Sequence, residues 1–211
     1  MTTRTLFLLG DSILDNAPYT RPEPDSAAHL RRLLPEWNVV CLARDGAVMD
    51  DVGHQLREIG QPAATAVLSI GGNDAIQHVG LLESRASDSA GILDRLLLIA
   101  DDFEERYQDV ARSLAERVDH TVLCTIYEVR LEPAPFARLA RVPLAVLNDR
   151  IIRTAARLGV DVLELRTVCT EPDDFVLQIE PSARGAARIA EAIAALLLGH
   201  SALTSGRVFC A

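Results

Sequence analysis

Short apolar runs alternate with segments of helical period along nearly the whole chain. Thr5–Leu9 is an unbroken apolar run closed by Gly10, the pattern of a strand buried on both faces. Asn38–Leu42, Ala64–Ile70, Thr121–Ile126 and Val160–Leu165 repeat it. Between them, Asp25–Leu34 predicts a helix with Asp25 or Ser26 as cap and Pro35 as stop, after a loop spanning Pro18 to Pro24. Ala47–Ile59 carries Val48, Val52, Leu56 and Ile59 at helical spacing and ends at Gly60. The longest predicted helix runs from about Ile92 to Val118, with Leu93, Leu96, Ala100, Phe103, Tyr107 and Leu114 on one face. Leu144–Leu158, stopped by Gly159, and Pro181–Leu198, with proline at its start, are the last two.

Five apolar strands separated by helices predict a parallel sheet covered on both faces. The expected fold class is α/β, a three-layer α/β/α sandwich with a flavodoxin-like sheet in the order 2-1-3-4-5. The 211 residues suffice for one domain with a real core, expected over 1–211, with residues 199–211 as an unassigned tail.

Charge and composition narrow the function. The net charge of -9 argues against a nucleic-acid partner, which requires a basic footprint. No apolar run approaches the ~20 residues of a membrane span, and Thr5–Leu9 is too short for a signal peptide. Cys41, Cys124, Cys169 and Cys210 are scattered without metal-ligand spacing, so they read as free thiols of a cytoplasmic protein; no metal and no cofactor is implied.

Polar residues then fall at the strand ends. Gly10-Asp11-Ser12 follows the first strand, Gly46 the second, and Gly71-Gly72-Asn73-Asp74 the third; Glu180 lies beyond the fifth. All belong to the carboxyl edge of the expected sheet. Ser12 and Asn73 flank the switch point between strands one and three, where open α/β sheets bind ligands. The set suits acyl transfer: a serine nucleophile, with the Ser12 and Gly46 N–H groups and the Asn73 amide as oxyanion donors. There is no G-x-S-x-G elbow around Ser12 and no phosphate-binding glycine loop. Asp11, Asp74 and His78 are candidates for contact with a small-molecule ester.

These blocks resemble those of the SGNH/GDSL hydrolases, α/β/α enzymes that act as esterases, lipases, thioesterases and carbohydrate deacetylases. The resemblance runs from about Thr5 to Leu198 and implies Ser12 as nucleophile and Gly46 and Asn73 in the oxyanion hole. The last block, Ile179-Glu180-Pro181-Ser182-Ala183, departs from it. The family carries Asp-x-x-His-Pro there, and this chain has Leu177 and Glu180 at the aspartate and histidine positions. Together with Val168 to Asp174 it is similar to a divergent subgroup in which glutamate takes that place. Glu180 is the expected base, with capping of the last helix as its structural alternative; His78 and, more remotely, His54 are the substitutes. The expected function is an esterase-type serine hydrolase. The competing expectation is a protein that binds a ligand without turning it over, because the histidine is absent.

Overall fold

The computed structural model describes residues 4–60, 64–82 and 88–199; Cys210 and the tail from His200 onward lie outside them. Five parallel strands form the central sheet: β1 (Arg4–Gly10), β2 (Trp37–Cys41), β3 (Ala64–Ser69), β4 (His120–Cys124) and β5 (Asp161–Leu163). Their order is β2-β1-β3-β4-β5, the flavodoxin-like order expected among those the alternating pattern permits. Leu6 and Leu8 face one side and Phe7 and Leu9 the other, so β1 is buried on both faces and reads as continuously apolar.

Helices cover both faces. α2 (Ser26–Leu33) and α7 (Ala183–Leu197) pack together on the side of Leu6 and Leu8. α3 (Met49–Arg57), α5 (Ser89–Ala115) and α6 (Ala134–Leu158) cover the other. Asp25 caps α2, its side chain accepting from the Ala28 N–H at 2.6 Å, and Asp88 caps α5.

Several elements depart from the sequence pattern. The Pro18-to-Pro24 loop opens with a single helical turn, α1 (Ala17–Thr20), which has Pro18 in its first turn. α4 (Gly72–Ile76) and a 3₁₀ turn at Val79–Leu81 follow β3. α6 begins ten residues before Leu144 and passes through Pro143. An internal proline costs about 3 kcal/mol. Here the extension brings in Ala140, which is buried, and Phe136 and Ala137, which are half-buried, and that apolar area offsets the cost. Finally, Pro181 does not start the last helix. It belongs to a two-stranded hairpin, β6 (Phe175–Val176) and β7 (Glu180–Pro181), and α7 starts two residues later under a Ser182 cap.

α5 and α6 both run antiparallel to the strands, and each reaches the next strand within four residues of its C-terminus. At 27 and 25 residues they extend about 40 Å, while the strands span roughly 20 Å. Their N-terminal turns therefore overhang the carboxyl edge of the sheet.

Candidate active site

The turn that carries Ser12 starts at Gly10, the last residue of β1, in register with Ser69 of β3. Its φ of +120° and its close approach to β3 both demand glycine: a Cβ there would lie 1.7 Å from the Ser69 carbonyl oxygen. Gln55 of α3 clamps this residue, accepting from the Gly10 N–H at 2.7 Å and donating to its carbonyl at 2.8 Å. The Asp11 N–H then donates to the Ser69 carbonyl at 3.1 Å. Ser12 emerges at the edge of the sheet, 6% exposed. Among the described residues, neither its N–H nor that of Gly46 donates to a protein acceptor, which leaves both open to an incoming oxygen.

Gly71 begins the second block at φ +107°, with no room for a Cβ against the Phe103 ring. Asn73, in the first turn of α4, donates its amide to the Ala47 carbonyl at 2.8 Å. An amide nitrogen carries two hydrogens, so one remains for a ligand. Asp11, Ser12, Asn73, His78, Thr125 and Glu180 all line one cavity of about 110 Å³, whose remaining wall is almost wholly apolar.

Gly46 and Asp74 are placed differently from the rest of the expected site. Gly46 sits in an exposed turn and lines a separate polar cleft with Arg44, His54 and Glu58. The Asp74 carboxylate does not face the cavity: it accepts from the Met49 N–H at 3.1 Å and from Arg106 at 3.0 Å. A buried carboxylate requires such donors, and these join α4 to the starts of α3 and the middle of α5. His78 is exposed at the cavity mouth, and His54 is exposed on α3.

Glu180 is 8% exposed and faces Ser12 across the cavity. The helix that follows is capped by Ser182, whose hydroxyl accepts from the Gly185 N–H at 3.2 Å, so Glu180 is not its cap. Burial raises the Glu180 carboxyl above the usual range; the Ser12 hydroxyl, turned toward it as a donor, lowers it, and the Asp45 charge raises it again. The pair stops short of a formed hydrogen bond: Glu180 Oε2 is buried with no partner among the described residues. Active-site bonds of this kind commonly tighten only when substrate is bound.

The hairpin that carries Glu180 is fixed from outside. Leu177 and Gln178 at its tip both have positive φ, 49° and 72°, a conformation unfavourable for residues with side chains. The Gln178 carbonyl accepts from the Arg130 N–H at 2.8 Å, its side chain accepts from the Glu132 N–H at 2.7 Å, and the Ile179 carbonyl accepts from the Tyr127 hydroxyl. Asp174 holds the other end: it is fully buried, accepts from the Thr170 and Glu171 N–H groups, and pairs with Arg188 at 2.6 Å. Gln55, Tyr127 and Gln178 position parts of the candidate site through these hydrogen bonds, and sequence reasoning missed them. Gln55 had a visible signal, a polar residue beside Leu56 and Val52 on a helix face turned to the core.

Burial, with smaller contributions from Glu180 and Asp74, pushes the Asp11 carboxyl up to about 8, against the lowering hydrogen bond from the Ile13 N–H. The unfolded chain loses this proton near pH 4 and the folded chain keeps it to about 8. Between those values the folded state binds more protons, so stability falls as pH rises. Urea midpoints of the wild type are therefore expected to decline from pH 5 to 8, and those of Asp11→Asn to decline less. Equal slopes would remove Asp11 as the cause.

Comparison with known proteins agrees with this architecture. The GDSL-like Lipase/Acylhydrolase family matches residues 8–188, and the chain belongs to that family. Among solved structures, the extracellular lipase of Streptomyces rimosus shares 15% identity at a TM-score of 0.68, over 90% of this chain and 98% of that one. The lipase/acylhydrolase of Enterococcus faecalis shares 18% at 0.66, over 93% and 96%. The acetylxylan esterase Axe2 of Geobacillus stearothermophilus shares 18% at 0.63, over 91% and 93%. At these identities the likeness is one of fold. No curated protein matches the chain. Among the described residues no group of three or more His, Cys, Asp and Glu side chains could hold a metal ion, and no helix is long and apolar enough to cross a membrane.

Proposed function

We propose that this chain is an esterase-type serine hydrolase in which Ser12 and Glu180 work as a two-residue machine. The observation that carries the reading is the buried Glu180 carboxylate facing Ser12 in one cavity, with the Ser12 hydroxyl turned toward it and close enough to lower its pKa. Ser12 attacks the ester carbonyl and its proton passes to Glu180. The oxyanion is met by the Ser12 N–H and the free amide hydrogen of Asn73, with the Gly46 N–H, which makes no hydrogen bond among the described residues, as the expected third donor. Glu180 then returns the proton to the leaving alcohol, and water repeats the cycle on the acyl-serine.

Asp11 favours this division of labour. Held protonated through neutral pH, it leaves Glu180 as the carboxyl that ionises and accepts. The raised pKa of Glu180 also narrows its gap to the serine hydroxyl and makes it a stronger base than an exposed glutamate. Asp74 belongs to the scaffold in this reading, and His78 meets the substrate at the mouth.

A fluorophosphonate probe is expected to label Ser12 stoichiometrically, and p-nitrophenyl esters to turn over in a manner abolished by Ser12→Ala. The unpartnered Oε2 favours the competing reading, a pocket that binds without turnover, because no group orients the carboxylate as aspartate orients a histidine. Absent labelling together with ester binding but no hydrolysis would establish that second reading and overturn the first.

A further inference from the structure

The cavity above Ser12 has an uneven chemistry. Its polar groups, Asp11, Ser12, Asn73, Thr125 and Glu180, gather where the strands end. Apart from His78 at the mouth, Ser69 and Tyr127, the rest is hydrocarbon, and much of it comes from the overhanging turns of the two long helices: Leu96 and Ile99 from α5, and Ala140, Leu144 and Leu147 from α6. Leu81, Leu82, Val129 and Leu131 close the sides. Ile76 and Val79 stand at the mouth and remain 42% and 43% exposed, so the entrance is apolar too.

No arginine lines the cavity, and the chain has no lysine. Asp11 is held protonated and His78 stands at the exposed mouth, so the charge beside Ser12 is the Glu180 carboxylate, against which an anionic head group would meet repulsion rather than a partner. A sugar would leave its hydroxyls unmatched against aliphatic walls.

Resting on the Ser12 reading above, we infer that the substrate is a neutral ester of an unbranched aliphatic acid, its acyl tail lying between the overhanging turns of α5 and α6. The cavity of about 110 Å³ is on the order of the apolar cavity that admits benzene, which sets the tail at about four to eight carbons. The tail enters past Ile76 and Val79, and the carbonyl stops at Ser12. Length preference is then set by how far helix α6 extends beyond the sheet, the stretch that Pro143 interrupts without ending.

The test is a chain-length series of p-nitrophenyl esters from acetate to palmitate, with calorimetric binding of the neutral analogues octanamide and acetamide to Ser12→Ala. Each buried methylene is worth about fourfold, so kcat/KM is expected to rise at least ~10-fold from acetate to hexanoate or octanoate and to fall again by palmitate. Ala140→Phe, which fills the tail site, is expected to shift the octanoate-to-acetate ratio of the esters down at least ~10-fold; Leu82→Trp, just past the more accessible 3₁₀ turn, does the same should the first variant not fold. Octanamide is expected to bind and acetamide not.

Acetate as best substrate, or an unmoved ratio in a folded variant, would overturn the inference while leaving the hydrolase reading intact. Octanamide binding without turnover of any ester would keep the tail site and overturn the hydrolase reading. Neither turnover nor octanamide binding would overturn both.

Discussion

Glu180→Gln is expected to lower kcat/KM by about 10²–10⁴-fold, the range that a positioned general base contributes, while the fold persists. Glutamine keeps the shape of the side chain and removes only its charge. Stability is expected to hold or rise, because the carboxylate is buried and its Oε2 lacks a partner. The pH profile supplies the sharper signature. Glu180 accepts a proton only when ionised, and burial holds its pKa above the usual glutamate range. Wild-type kcat/KM is therefore expected to climb with pH through that raised pKa and to fade below it. The glutamine variant loses this limb, since it has nothing there to titrate. Activity within about tenfold of wild type, or an unchanged acid limb, would show that another group takes the serine proton.

Gly10→Ala is expected to be the most damaging single-methyl change in the described structure. The added Cβ would lie 1.7 Å from the Ser69 oxygen and 2.6 Å from its carbonyl carbon, both backbone atoms held in the sheet. The φ of +120° adds strain that no rotamer relieves. Escape requires β1 to part from β3 at Gly10–Ser69, which also breaks the two hydrogen bonds of Gln55. A loss of about 4 kcal/mol or more is expected, the range reserved for such named defects, seen as a Tm drop of roughly 8–16 °C for a chain of this size. A urea midpoint equivalent to a loss under ~1 kcal/mol would mean that the strand end yields more readily than its packing indicates.

The sheet was legible because its strands are buried on both faces. A strand such as Leu6 to Leu9 then has no polar side to dilute its signal. The helices with one apolar face, α2, α3, α5 and α7, were legible for the corresponding reason. α6 was not fully legible: Pro143 marks a boundary by local rules, and only packing of Ala140 under the overhang carries the helix past it. The hairpin at Glu180 was illegible as well. Its tip uses Leu177 and Gln178 in a conformation their side chains disfavour, and the compensating donors come from Tyr127, Arg130 and Glu132, about 50 residues earlier.

The sequence by itself determined the layered α/β architecture and the gathering of Ser12, Asn73 and Glu180 at one edge. Those follow from hydrophobic period and from residues placed directly at strand ends, both local properties; the alternation permits the 2-1-3-4-5 order without selecting it. Only the tertiary structure decided that Asp74 serves Met49 and Arg106 rather than the cavity, that Ser182 and not Glu180 caps the last helix, and that two long helices roof the site with hydrocarbon. The reason is physical. Whether a carboxylate meets solvent, an arginine or a serine depends on groups far away in the chain, and no local pattern records which of them will be there.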